Sequence, residues 1–205
     1  MPSFDIENEY NGIIAGVDEA GRGPWVGPVV AGCVVFINRN VEDFLLSNLN
    51  DSKKISKKKR EQLYEALYRE KEKGNVLIGV GVAQAKEIDE INILNASFLA
   101  MKRAIIDANV MPDMVLVDGN REPKDFGYKT KAVVKGDAKS YSISGASIIA
   151  KVYRDRLMED MAKKYPGYGF EKNAGYGTKA HIEGLKQLGI TPEHRKSYAP
   201  IKEFI

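Results

Sequence analysis

The sequence predicts an α/β fold in which helices flank a mixed five-stranded sheet, followed by a helical C-terminal part over residues 138–205. Three observations lead to this prediction. Five short segments are rich in Val, Ile and Leu and are bordered by Gly or Asp, as strands commonly are. A Gly- and Pro-rich loop joins the first two segments, which indicates an antiparallel pair. Amphipathic segments separate later strands, and such helices permit parallel crossovers.

Strands and helices alternate along the chain. The predicted strands are residues 13–17, 29–37, 76–83, 114–117 and 132–134. The predicted helices run from a Ser56 cap to about residue 73, over 87–108 and 144–164, and onward from a Thr178 cap. Thr191 followed by Pro192 is typical of one more helix start. No repeat or linker divides the 205 residues, so we expect a single domain, 1–205.

The composition excludes several classes of protein. Hydrophobic residues make up 43% and charged residues 29%, as in ordinary globular domains. No run approaches the ~18 apolar residues of a membrane helix, and residues 1–11 lack the apolar core of a signal peptide. Cys33 is the single cysteine, so no disulfide can form within the chain and a cytoplasmic location is expected. The net charge is only +3, but Lys and Arg cluster over residues 53–60, where they can track phosphates.

Acidic side chains stand where three predicted strands end. Asp18 and Glu19 follow the first strand, Asp118 follows the fourth, and Asp137 lies shortly after the fifth. The ligand crevice of an open α/β sheet lies beyond the carboxyl ends of its strands, so four carboxylates would converge there, although each acid alone also suits a turn. Their mutual repulsion requires counter-charge, and oxygen ligands favour Mg²⁺ or Mn²⁺. Two such cations ~3.5–4 Å apart can activate water for phosphodiester hydrolysis.

The loop after the first two acids places a glycine on each side of Arg22. Gly21 and Gly23 let the backbone approach a ligand closely, and Arg22 can bind a phosphate. Backbone groups in such a loop can meet a sugar hydroxyl, and the 2′-hydroxyl is what distinguishes RNA from DNA. A tight turn between two strands would explain the glycines equally well.

Beyond these features, the order of motifs resembles the ribonuclease HII family. The matching segments are residues 16–24, 27–31, 51–54, 117–119, 135–140, 146–148, 150–155, 175–178, 181 and 194–197. They run from about Gly16 to Pro200, nearly the whole chain, and their joint pattern is highly specific. Trp25-Val26 and Gly145 depart from the family pattern, where smaller or aliphatic residues and alanine are usual. We expect the first departure to alter loop packing and the second to loosen a helix start.

The resemblance implies a ribonuclease H-like fold, cleavage of the RNA strand in RNA–DNA hybrids, and a cut 5′ of single ribonucleotides in duplex DNA. It implies that two divalent cations, Mg²⁺ or Mn²⁺, are held by Asp18, Glu19, Asp118 and Asp137. It further implies that Gly21, Arg22 and Gly23 read the ribose 2′-hydroxyl, and that Tyr176 stacks on the next deoxyribose. Lys53, Lys139 and Ser140 are implied phosphate contacts.

Three other functions stay open at this stage. Ribonuclease HIII resembles the chain in its acids, but it usually carries an N-terminal substrate-binding domain, and only residues 1–17 precede Asp18. A non-catalytic duplex-binding module would not need four intact acids. A phosphatase of small molecules would not need the lysine cluster. We expect a monomer without a sliding-clamp peptide, and a structural role for His181.

Overall fold

Five strands form one mixed sheet in the computed structural model, which describes every residue except Asp51, Lys53 and Lys54. The strands are β1 (Ile14–Ala20), β2 (Val29–Phe36), β3 (Val76–Ala83), β4 (Met114–Asp118) and β5 (Thr130–Val133). Their order is β3-β2-β1-β4-β5. β2 is antiparallel to β1 and to β3, whereas β4 is parallel to β1 and to β5. The predicted mixed sheet and the antiparallel first pair are therefore confirmed.

Helices cover both faces of the sheet. They are α1 (Asp43–Asn48), α2 (Lys57–Glu72), α3 (Ala85–Asp107), α4 (Tyr141–Lys164), α5 (Phe170–Asn173), α6 (Lys179–Leu188) and α7 (Ala199–Lys202). Single 3₁₀ turns lie at Glu7–Glu9 and Gly136–Ala138. After β5, the described chain contains helices and turns but no further strand, so the predicted helical C-terminal part is confirmed. None of the helices in the described part of the chain is long and apolar enough to cross a membrane.

The helix caps test the local sequence signals. The Ser56 hydroxyl accepts the Lys59 N–H at 3.3 Å, and the Thr178 hydroxyl accepts the His181 N–H at 3.4 Å, so both predicted caps are confirmed. The predicted helix after Thr191 is wrong, because only a turn follows Thr191. The His194 ring folds back and its Nδ1 accepts the Thr191 N–H at 2.8 Å, so this side-chain contact replaces helical growth.

Close backbone packing fixes α3 and α4 on opposite faces of the sheet. A Cβ atom on Gly81 of β3 would lie 1.9 Å from the Ala100 carbonyl oxygen of α3. A Cβ atom on Gly16 of β1 would lie 2.3 Å from the Ser142 carbonyl carbon of α4. These glycines let the helices approach the sheet more closely than any side chain would allow. The approach of α4 brings its polar residues beside the end of β1.

Gly81→Ala is expected to destabilise the fold by more than about 3 kcal/mol, because its methyl group would overlap the α3 backbone, which cannot rotate away. Gly74→Ala serves as the control, since its Cβ would meet open space and only its positive φ of 76° is unfavourable. That strain is about 1–2 kcal/mol. Urea unfolding of both variants measures the difference, and equal losses would contradict the close-packing argument.

Candidate active site

Three of the predicted acids meet at the ends of the two neighbouring parallel strands. Asp18 and Glu19 lie near the end of β1, and Asp118 is the last residue of β4. They line one open pocket of about 480 Å³, which we call the acidic pocket. Glu19 and Asp118 also line a smaller cleft toward Phe98 of α3. The predicted convergence at the carboxyl ends of parallel strands is thus present for these three side chains.

Burial, together with mutual repulsion, makes the ionised forms of these acids unfavourable. Burial and the nearby carboxylates of Glu19 and Asp118 raise the pKa of Asp18 well above its ordinary value of 3.8. Burial also raises the pKa of Glu19, although its contact with Arg22 at 3.1 Å opposes that shift. The Asp18 carboxylate accepts the Glu19 N–H at 2.7 Å, which fixes its orientation. Such a group of buried acids needs positive charge to stay ionised.

Asp137, the fourth predicted acid, lies in the turn after β5 rather than among the residues that line the acidic pocket. It does not follow β5 directly, because Lys135 adopts a left-handed conformation with φ 58° and a 3₁₀ turn begins at Gly136. The Gly136 N–H donates to Asp118 Oδ1 at 2.7 Å. This bond ties the turn that carries Asp137 to the end of β4.

The donor set has the chemistry that hard divalent cations prefer. Carboxylate oxygens surround the pocket, and both imidazoles lie elsewhere, in the C-terminal part. Among the described residues, no group of three or more His, Cys, Asp or Glu side chains is arranged so that it could hold a metal ion. The acids fit divalent cations by type and by their need for positive charge.

The predicted recognition loop faces the acids across the pocket. Gly21, Arg22 and Gly23 line the acidic pocket together with Tyr176. A Cβ atom on Gly21, whose φ is 99°, would lie 2.1 Å from Nε of the buried Arg154. A Cβ atom on Gly23 would lie 3.2 Å from the Tyr176 ring. Gly21 is therefore required by close approach, whereas a side chain at position 23 would press on the exposed Tyr176 ring.

Trp25 accounts for the packing beside this loop. Its ring lies where a Cβ atom on Gly177 would be, at 2.0 Å, and its centroid is 5.6 Å from that of His181. Glycine at position 177 thus makes room for the unusual tryptophan.

The other departure from the family pattern, Gly145, is buried in α4, and a Cβ atom at this position would lie 3.2 Å from Val34 Cγ1. That contact is tight, so the helix is closely packed there rather than loose.

The three predicted phosphate contacts have different positions. Lys53 lies outside the described residues. Lys139 is exposed at the end of the turn that carries Asp137, and it does not line the acidic pocket. Ser140 is fully buried, donates its hydroxyl to Glu7 at 2.7 Å and accepts the Ile143 N–H at 3.1 Å as the cap of α4. This placement does not support a direct phosphate contact by Ser140.

Four polar residues of the pocket were assigned no role by sequence reasoning. The Oγ atoms of Ser147 and Ser52 lie within hydrogen-bonding distance at 2.8 Å. A hydrogen bond from the Ser147 hydroxyl to Asp18 lowers the pKa of that acid, so Ser52 is the donor between the two serines. Lys151 and Arg154 lie on the same side of α4 and also line the pocket. The i, i+4 spacing of Ser147 and Lys151, both within matched motifs, was the signal that places them on one helix face.

The two histidines lie away from the acids, within the C-terminal part. His181 is fully buried, and its Nδ1 lies 3.0 Å from the Tyr176 carbonyl oxygen. Its Nε2 lies 3.1 Å from Nε2 of His194. This placement agrees with the expected structural role of His181.

Comparisons with known proteins agree with this fold. The family model described as Ribonuclease HII matches residues 15–200. A ribonuclease HII from Shewanella pealeana is 52% identical over 192 residues, which cover 94% of this chain and 90% of that protein. The crystal structure of ribonuclease H2 from Pyrococcus horikoshii OT3 has a TM-score of 0.74 at 31% identity, covering 94% of this chain and 97% of that one. The RNase HII of Archaeoglobus fulgidus, solved in complex with PCNA, has a TM-score of 0.72 at 27% identity, covering 91% and 95%.

An acidic pocket at the ends of parallel strands of a ribonuclease H-like sheet defines a ribonuclease H enzyme. The chain belongs to the ribonuclease HII family, because the family model and the relatives match nearly its whole length. Membership supports endonucleolytic cleavage of RNA in RNA–DNA hybrids. It also favours ribonuclease HII over the alternatives of ribonuclease HIII and a small-molecule phosphatase.

Asp18→Asn is expected to stabilise the metal-free protein by about 1–2 kcal/mol at pH 7, because it removes a buried, repelled charge. Burial and the neighbouring acids raise the pKa of Asp18, so the folded state holds this proton more tightly than the unfolded state does. Stability therefore falls as pH rises above 3.8, and the gain should vanish toward pH 4. Urea unfolding in EDTA at both pH values measures this effect.

Asp160→Asn is the matched control, because Asp160 is an exposed acid on α4 that pairs with Lys163. It should change stability by less than about 0.5 kcal/mol. A gain from Asp18→Asn that is equal at pH 4 and pH 7 would contradict the electrostatic explanation.

Proposed function

We propose that the protein uses two divalent cations, Mg²⁺ or Mn²⁺, to cut DNA 5′ of a single embedded ribonucleotide, and that it also cuts longer RNA–DNA hybrids. The observation that carries this proposal is that three of the four acids, the Gly-Arg-Gly loop and Tyr176 line a single pocket. Phosphodiester cleavage and recognition of the ribose would then occur in the same pocket. Water attacks the phosphorus, the bond to the upstream O3′ breaks, and the products carry a 5′-phosphate and a 3′-hydroxyl.

The acids divide into two pairs within this proposal. Asp18 and Glu19 extend from the central strand, and Asp118 and Asp137 are joined through the Gly136 turn. We assign all four as cation ligands. When bound, the cations would supply the missing positive charge, lower the pKa of the attacking water and stabilise the leaving oxygen. Ser147 orients the Asp18 carboxylate for this role by hydrogen bonding.

The Gly-Arg-Gly loop would read the ribonucleotide. Glycine at 21 and 23 leaves the backbone uncovered, so its N–H groups can reach a 2′-hydroxyl. The Arg22 side chain is half-exposed and would exchange part of its Glu19 contact for a phosphate when substrate binds. Lys151 lines the same pocket and adds a second cation beside the phosphate path.

Tyr176 would complete the recognition of the junction. Tyr176 is 52% exposed although its ring lies beside Gly23, so the side chain is available to a nucleotide. Stacking on the following deoxyribose would favour DNA at that place. The expectations of monomeric action, of a cytoplasmic location and of no sliding-clamp partner remain predictions.

A labelled DNA duplex with one ribonucleotide tests the reaction. We expect one metal-dependent cut on its 5′ side, and no cut in an all-DNA duplex or in one with a 2′-O-methyl ribonucleotide. Asp18→Asn should lower the rate more than about 100-fold, because even residues that only support a metal ligand are worth 10–100-fold. Asp160→Asn should cut at the wild-type rate. Cleavage of long hybrids alone would remove the junction reading, and binding without any cleavage would overturn the enzyme proposal.

Tyr176→Ala and Tyr176→Phe test the stacking role separately. The alanine variant should lower kcat/KM on the single-ribonucleotide duplex about 5- to 150-fold, which corresponds to stacking energies of about 1–3 kcal/mol. The phenylalanine variant keeps the ring and should stay within about threefold of wild type. Equal losses in both variants would assign the effect to the hydroxyl group and contradict stacking.

A further inference from the structure

One C-terminal turn contacts one of the two segments that would read the substrate and is linked to the other through His181. This turn, residues 191–198, carries His194 and Arg195, whose motif has no part in the mechanism above. The two segments are the Gly-Arg-Gly loop, residues 21–23, and the tyrosine loop, residues 175–177. The inference rests on the proposed function and concerns how these two loops are held relative to each other.

Arg195 binds the backbone of the Gly-Arg-Gly loop through its guanidinium group. Its guanidinium is fully buried and donates to the carbonyl oxygens of Gly21 at 2.6 Å, Arg22 at 2.9 Å and Gly27 at 2.9 Å. The Tyr198 hydroxyl donates to the Arg22 carbonyl at 2.6 Å. Because these carbonyls are fixed inward, the conformation of the loop is set by the turn. A planar guanidinium suits this task, since it holds several acceptors in fixed directions.

Backbone bonds join the same turn to the chain between the loops. The Gly27 N–H donates to the Glu193 carbonyl at 2.9 Å, and the Arg195 N–H donates to the Trp25 carbonyl at 2.8 Å. The Trp25 N–H in turn donates to the Gly175 carbonyl at 2.8 Å. Residues 25–27 and the turn therefore connect the two loops, which are far apart in the sequence.

The imidazoles hold the second loop through a directional chain of hydrogen bonds. The Thr191 N–H can only donate, so His194 Nδ1 accepts and its proton resides on Nε2. That N–H donates to His181 Nε2 at 3.1 Å, which leaves the His181 proton on Nδ1. His181 Nδ1 then donates to the Tyr176 carbonyl at 3.0 Å. Only two neutral rings in these tautomers satisfy all three contacts.

The surroundings keep both rings neutral. Burial and the neighbouring His181 lower the pKa of His194 to about 4, and burial lowers the pKa of His181. Both rings pack against Tyr168 and Phe170 in an apolar cluster, which adds rigidity to the chain of bonds. The Tyr176 carbonyl is thus held by a fixed donor at neutral pH.

We propose that the His181–His194 pair and Arg195 are positioning residues that fix the Tyr176 ring relative to the Gly-Arg-Gly loop and so set the preference for an RNA-to-DNA junction. Arg195 holds the part that reads the 2′-hydroxyl, which every ribonucleotide substrate offers. The imidazole pair holds the part that stacks on deoxyribose, which only a junction offers. Substitutions that weaken the Arg195 contacts and substitutions that weaken the imidazole pair should therefore lower activity on different sets of substrates.

His181→Leu removes the donor to Tyr176, and its effect should be specific to the junction. We expect kcat/KM on the single-ribonucleotide duplex to fall roughly five- to thirtyfold, typical of a lost buried hydrogen bond, and on a long hybrid by less than about threefold. His181→Asn places an amide N–H near the former Nδ1 and should recover most of the loss. In a Tyr176→Ala background, His181→Leu should have almost no further effect on the junction substrate.

Tyr198→Phe tests the contacts that hold the Gly-Arg-Gly loop. The change is mild, because it removes one hydroxyl from a half-buried side chain. It should slow both substrates by a similar factor, roughly threefold to tenfold, and should keep its full effect in the Tyr176→Ala background. Tyr168→Phe is the matched control, since its hydroxyl bonds the Gly189 carbonyl and touches neither loop. It should leave the junction preference unchanged.

Thermal unfolding and the fluorescence of Trp25, the single tryptophan, establish that each variant is folded before its kinetics are compared. A His181→Leu loss that is equal on both substrates, or that persists in the Tyr176→Ala background, would overturn the proposal while leaving the function intact. If His181→Leu does not fold, an unaltered cleavage rate for Tyr198→Phe would also overturn the proposal. A wild-type protein that shows no junction cleavage would instead overturn the proposed function itself.

Discussion

The buried carboxylate of Asp18, at the end of the central strand, is the constraint around which the site is arranged. β1 and β4 are parallel neighbours, so their carboxyl ends bring Asp18 and Asp118 to the same edge of the sheet. α4 covers this edge because Gly16 allows close approach, and it supplies the Ser147 hydroxyl to Asp18. The same burial that raises the pKa of Asp18 makes a cation necessary for the ionised form.

Two buried arginines hold the loops that surround these acids. Arg154 donates to the carbonyls of Pro28, Val26 and Ala174, and Arg195 donates to those of Gly21, Arg22 and Gly27. Burial and the nearby Arg195 lower the pKa of Arg154 to about 10, so it stays charged at neutral pH. A rigid frame of this kind holds reading groups within the narrow geometry that recognition requires.

The sheet and three of the acids were accessible to sequence reasoning for definite reasons. Runs of Val and Ile with Gly or Asp at their borders predicted all five strands, because buried strands require such side chains. The ends of those runs placed Asp18, Glu19 and Asp118 together, since parallel strands share an edge. Ser56 and Thr178 were recognised as caps because their hydroxyls satisfy free N–H groups at helix starts. The family motifs then supplied the substrate class.

Tertiary packing decided the remainder. The sequence by itself determined the strands, the acidic edge and the family, because local pattern and motif order suffice for these. It did not show that Ser140 is buried against Glu7, that the Thr191 turn is held by His194, or that Arg195 bonds Gly21. Each of these contacts joins residues through the orientation of a buried polar group, and such a group takes whichever partner the folded chain brings within reach.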